Sequence, residues 1–138
     1  MTTSHKSKTI AVALASTLGG LGLHRFYLGG GNARWGWLHV SAIPLSLIAI
    51  ALFPDQPVLF SGSPFVLSVL SGFLEALIIG LIPDDEWDAL YNPRSGRQST
   101  SGWPLALALV LTLGIGSTAV IAAMARAFDL FFTGGAYG

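Results

Sequence analysis

The stretch Ile10-Ala11-Val12-Ala13-Leu14-Ala15-Ser16-Thr17-Leu18-Gly19-Gly20-Leu21-Gly22-Leu23, followed at once by His24-Arg25-Phe26-Tyr27, decides how this chain threads. It is apolar and uncharged. Its 14 residues fall short of the roughly 20 that a hydrocarbon core about 30 Å thick requires of a helix. Gly19, Gly20 and Gly22 permit a turn near its end. The run either crosses the bilayer with little tilt or dips in and returns to its own side.

Three longer apolar runs follow, Trp35 to Phe53, Phe65 to Ile82 and Trp103 to Ala125. Each approaches the length of a full span. Of the 138 residues, 52% are hydrophobic and 10% charged. A soluble domain is nearer one-quarter charged. Mean hydropathy is +0.66. The expected fold class is an all-α integral membrane protein, with three full transmembrane helices plus a short N-terminal re-entrant or transmembrane segment. Seven basic residues cancel seven acidic ones, so no strong field invites nucleic acid. The absence of cysteine excludes a disulfide scaffold, a thiolate zinc site and a cysteine nucleophile.

The run borders carry interfacial signals. Trp35, Trp37 and Trp103 open runs, and Trp87 and Tyr91 lie beyond the third, as in an aromatic belt. Pro54, Pro57 and Pro64 punctuate the second link, and Pro83 ends the third run. Pro44 is expected to kink the second helix, and Ser101 to cap the fourth. Lys6 and Lys8 before an apolar run resemble a signal peptide. The only Ala-x-Ala triplets lie inside that run, so it is expected to be retained.

Basic residues choose between the two threadings. With four spans, Lys6, Lys8 and Arg126 share one side, and Arg25, Arg34, Arg94 and Arg97 the other. With a re-entrant first segment, Arg126 alone stands apart from the other six. The positive-inside rule favours the second arrangement and a cytoplasmic N-terminus.

Small residues at helical spacing mark contact faces, because lipid gives apolar helices no reason to associate. Ala11, Ala15 and Gly19 form one stripe, which Ser16 and Gly20 widen; Ser68 and Gly72 form another. Ala119 and Ala123 repeat the pattern in the fourth run.

Glu75 is the one charged side chain well inside a predicted span. It must be paired or protonated there. Arg25 is the first candidate partner; His24 and His39 are others. A neutral Glu75 donating a hydrogen bond between helices, or a carboxylate lining an ion or proton path, are the alternatives. His24-Arg25-Phe26-Tyr27 combines hydrogen-bonding and aromatic groups, with Arg25 able to fork onto a carboxylate or a lipid phosphate. The glycines before it lack the Lys-Ser/Thr of a phosphate loop. Asp84, Asp85, Glu86 and Asp88 read as a solvated helix N-terminus that could pair with Arg94 and Arg97. Neither their spacing nor that of His5, His24 and His39 gives a metal-ligand motif, so no metal and no cofactor is expected.

Gly19-Gly20-Leu21-Gly22-Leu23-His24-Arg25-Phe26-Tyr27-Leu28-Gly29 resembles the signature of the TM2 domain family. Gly36 and the run Trp37 to Phe53 are similar to that family's next helix, and Gly72-Phe73-Leu74-Glu75 to its segment with an embedded acid. Asp88, Tyr91 and Asn92 resemble its tail, so the resemblance covers residues 6–92. It implies closely associated membrane helices, no enzymatic activity, and interaction or structural roles for His24, Arg25, Phe26, Tyr27, Glu75, Asp88 and Asn92. Residues 1–92 are then a TM2-like membrane domain with a proline-rich inserted link at 54–64. Residues 93–102 form a polar loop, and 103–138 an additional C-terminal transmembrane helix with a short tail.

The expected function is that of a small non-enzymatic multi-pass protein, a structural or accessory component of a membrane assembly. The alternative is an oligomeric ion or proton channel or transporter with Glu75 lining its path. Expected partners are membrane lipid and either further copies of the chain or other membrane subunits. The expected location is a cell membrane, a bacterial inner membrane in particular.

Overall fold

The computed structural model describes residues 4–137, and every regular element among them is helical. α1 (Lys8–Leu18) continues through a 3-10 turn at Gly19–Leu21. α2 (Leu23–Leu28), α3 (Asn32–Leu52), the single turn α4 (Val58–Ser61) and α5 (Ser63–Gly80) follow. α6 (Asp84–Tyr91) and α7 (Trp103–Thr133) complete the chain. α3, α5 and α7 are the three helices long and apolar enough to cross a membrane.

The first segment is a hairpin. α1 packs antiparallel to α5: Lys8 Nζ donates to the Ile82 carbonyl, while the Gly20 carbonyl accepts from Ser68 Oγ. Fourteen residues from Lys8 to Leu21 cover about 21 Å, too little to cross a core of about 30 Å. The chain then reverses at Gly22, whose φ of +71° is left-handed. A Cβ there would stand 2.7 Å from the Gly36 carbonyl oxygen, so both backbone conformation and space require glycine. α2 climbs back until the Leu28 carbonyl accepts from Lys6 Nζ and Tyr27 Oη accepts from the Ser7 N–H at 2.8 Å. The hairpin thus ends beside the point where it began, and the structure follows the re-entrant threading.

That hairpin fits because two helices meet without side chains. A Cβ on Gly19 would lie 2.6 Å from the Gly72 Cα, and one on Gly72 would lie 2.8 Å from the Gly19 Cα. Ala11, Ala15 and Gly19 are buried along this seam, with Ala76 and Ile79 opposite. Gly20 fits against Val69 and Phe65. Ser16 is only half-buried, and its hydroxyl donates within its own helix to the Ala13 carbonyl. The large apolar side chains point outward instead; Leu47, Leu67 and Leu107 are all exposed, as lipid-facing residues are.

Pro44 lies within α3, which continues through it as the sequence reading expects. Other boundaries differ from that reading. Gly102, not Ser101, caps α7, because the Ser101 hydroxyl donates to Asp84. α7 runs past Ala125 to Thr133, and within it Arg126 and Asp129 neutralise each other one turn apart. Arg25 is no loop charge; it turns inward to Glu75.

Candidate functional site

The hairpin delivers His24 and Arg25 on α2 to Glu75, about one turn past the midpoint of α5. Arg25 forks onto the carboxylate. Its Nε donates to Glu75 Oε2 at 2.8 Å, and its Nη2 stands 2.8 Å from Oε1. The remaining Nη1 donates to Asn32 Oδ1 at 3.1 Å, which ties the fork to the start of α3. His24 Nε2 also bonds Oε2, and its ring is fully buried. A carboxylate in lipid is costly unless opposite charge and donors meet it. Here a bidentate guanidinium and an imidazole do so, and these buried contacts hold the hairpin against α5.

His39 completes the group from α3. Its Nε2 lies 3.4 Å from Glu75 Oε1 and its Nδ1 2.8 Å from Ser68 Oγ. Ser68 has a single hydroxyl proton, which it donates to the Gly20 carbonyl at 2.8 Å. It therefore accepts from His39, and the His39 proton sits on Nδ1. This also disposes of a hydrolytic reading. Ser68, His39 and Glu75 stand in the order of nucleophile, base and orienting acid. The serine proton is already committed to a backbone carbonyl, and the histidine nitrogen facing it is a donor, not a base.

The other expected residues are placed as follows. The Phe26 ring covers Gly36, where a Cβ would come within 2.8 Å of it, and meets Trp37 edge-on at 5.4 Å. Tyr27 anchors the N-terminus through Ser7. Asp88 and Asn92 stand apart from Glu75, in a second cluster at the polar end. Asn92 accepts from the Lys6 N–H at 2.7 Å and donates to the Lys6 carbonyl at 3.1 Å, as Trp87 Nε1 also does. Asp88 accepts from Asn92 and Ser99, which hold its carboxyl below the usual carboxylate range. Asp84 pairs not with Arg94 or Arg97 but with Lys8 and Ser101. Those donors lower its carboxyl to about 2.

One member of the site, Asn32, carries no signal of its own in the sequence. His39 is a candidate partner for Glu75 in the sequence and meets it in the structure, but its bond to Ser68 depends on the register between α3 and α5. A cavity of about 500 Å³ between those helices reaches Arg25, His39, Ser68 and Glu75.

Comparison with curated proteins and with solved structures gave no match. The TM2 domain family model matches residues 4–53. Glu75, Asp88 and Asn92 lie beyond the matched residues, whereas the hairpin, Gly36 and His39 lie inside them. The re-entrant hairpin and the helix that follows it are thus the part of this membrane protein that is similar to a TM2 domain.

Proposed function

We propose that this chain is a non-enzymatic structural or accessory component of a membrane assembly, in which the Arg25–Glu75 clamp sets the hairpin as a rigid plug among α3, α5 and α7. The observation that carries this reading is the use of both Glu75 oxygens by two adjacent donors fixed on α2. An acid held in this way serves packing; an ion path needs a carboxylate that can release its partners. The N-terminus, the α2–α3 turn and the 93–102 loop share one end, which the excess of lysine and arginine assigns to the cytoplasm. A bacterial inner membrane suits such a chain. Partners would dock through the lipid-facing surfaces of the long helices, as further copies or as other subunits.

The test is purification of the full chain from its native membrane in mild detergent, with cross-linking and identification of the chains attached. A defined co-purifying membrane protein, lost when a lipid-facing residue of α7 such as Leu107 is changed to tryptophan, supports the reading. Single-channel or proton-flux activity of the reconstituted chain, abolished by Glu75→Gln, overturns it.

A further inference from the structure

We propose that His24, His39 and Glu75 form a binding site for a divalent first-row transition ion of the zinc class. This goes beyond the packing role of Glu75 and does not depend on it. One ligand atom from each residue lies within 4.8 Å of the others, although the three side chains come from three different helices. Two imidazoles and one carboxylate are a donor set that suits zinc, cobalt and nickel, and leave a fourth position for water.

The geometry around His39 carries the argument. Its Nδ1 must donate to Ser68, because the Ser68 proton goes to Gly20. Nε2 is then the ring atom that faces Glu75 Oε1, at 3.4 Å. That is long for a hydrogen bond between a ring nitrogen and a carboxylate. Ligands about 2.1 Å from a tetrahedral zinc stand about 3.4 Å apart. The separation is therefore that of two adjacent ligands.

The surroundings are those of a ligating histidine. A metal-bound imidazole ordinarily donates its other N–H to a fixed acceptor, which sets the tautomer and the ring angle. The Ser68–Gly20 relay does this for His39. His24 Nε2 donates to the Glu75 carboxylate, while its Nδ1 is buried with no hydrogen-bond partner among the described residues. To ligate, the ring moves its proton to Nδ1, and the ion replaces the bond to Glu75. Arg25 aims Glu75 through its fork, while its charge weakens the site and makes the ion removable by chelator. The cavity between α3 and α5 reaches both His39 and Glu75.

The experiment uses the full chain in mild detergent, stripped with chelator and titrated with zinc. Elemental analysis after gel filtration measures the bound ion, and cobalt serves as a spectroscopic probe of tetrahedral nitrogen and oxygen ligation. The expected result is one ion per chain. His39→Ala should abolish stoichiometric binding, and Ser68→Ala, which leaves all three ligands in place, should weaken it at least about tenfold. His5→Ala, at the polar end beside Ser95 and Ser99, should change nothing. Failure of the stripped wild-type chain to take up stoichiometric zinc overturns the proposal. So does unchanged affinity in Ser68→Ala, which needs no result from His39→Ala should that variant not fold. So too does a nitrogen-15 spectrum in which His39 Nε2 stays protonated in excess zinc, since a shared proton then fills the gap. None of these failures touches the Arg25–Glu75 coupling, which is measured separately by stability.

Discussion

Arg25 holds both oxygens of Glu75 across fifty residues of sequence, with two contacts of 2.8 Å. The pair joins the return arm of the hairpin to α5 at a depth where neither charge is stable alone. Arg25→Ala is expected to cost about 3 kcal/mol of unfolding free energy in detergent, because it strands a carboxylate among apolar side chains. The Arg25→Ala/Glu75→Gln double variant should recover about 2 kcal/mol relative to the sum of the single changes. Arg25→Lys should fall between, since an ammonium cannot fork onto two oxygens and still reach Asn32. Strict additivity in the cycle would remove the clamp from the account.

The Gly19–Gly72 contact makes a sharper steric prediction. Alanine at either position would place a methyl group within 3 Å of the opposite backbone, and no side-chain rotation relieves it. Gly19→Ala or Gly72→Ala should cost about 1–3 kcal/mol by forcing α1 away from α5. Gly114→Ala, in α7 with nothing within 4 Å of the added methyl, should be neutral or stabilise by up to about 1 kcal/mol. Thermal unfolding of the three variants side by side checks the contrast.

Much of this was readable because lipid restricts the choices. Three long apolar runs left little doubt about α3, α5 and α7, and the basic residues selected the re-entrant threading over four spans. A lone acid inside a span must be paired or protonated, and the chain places few basic residues near enough to pair with it. The rest depends on register, which hydropathy does not encode. Asp84 and Lys8 each look like interfacial charges in isolation, and their pairing requires that α1 start where α5 ends. The bond between His39 and Ser68 likewise follows from how far α3 slides along α5. The end of α7 was misjudged because Arg126 reads as a boundary, whereas Asp129 one turn later neutralises it inside the helix.

Lys8 and Asp84 should make stability fall in acid. Donation by Lys8 and then Ser101 lowers the Asp84 carboxyl from 3.8 to about 2 in the folded chain. The unfolded chain therefore takes up the proton first as pH drops. The stabilisation is complete above roughly pH 4 and is lost as pH falls toward 2. Asp84→Asn should flatten this part of the profile. At neutral pH it should cost about 2 kcal/mol, below the roughly 3–5 of a fully buried pair, since the Asp84 side chain is 32% exposed while Lys8 is buried. A variant that keeps the wild-type acid slope would place the titrating group elsewhere.

The hairpin makes a prediction about sidedness that a fourth span would reverse. The natural chain has no cysteine, so single cysteines report without background. Gly30 lies at the α2–α3 turn and Gln98 in the polar loop, both exposed and both at the end that holds Lys6 and Asn92. Gln56 is exposed at the opposite end, beyond α3. Cysteines at 30 and 98 should react with an impermeant maleimide only when the cytoplasmic face is opened, and a cysteine at 56 in intact cells. In a four-span chain with the same N-terminal side, residues 30 and 98 would both face outward and residue 56 inward. Each of the three sites would then invert, and the short first segment would have to cross a core about 30 Å thick with about 21 Å of helix. The backbone closes the loop the other way, since Leu28 already meets Lys6 on the side from which α1 departs.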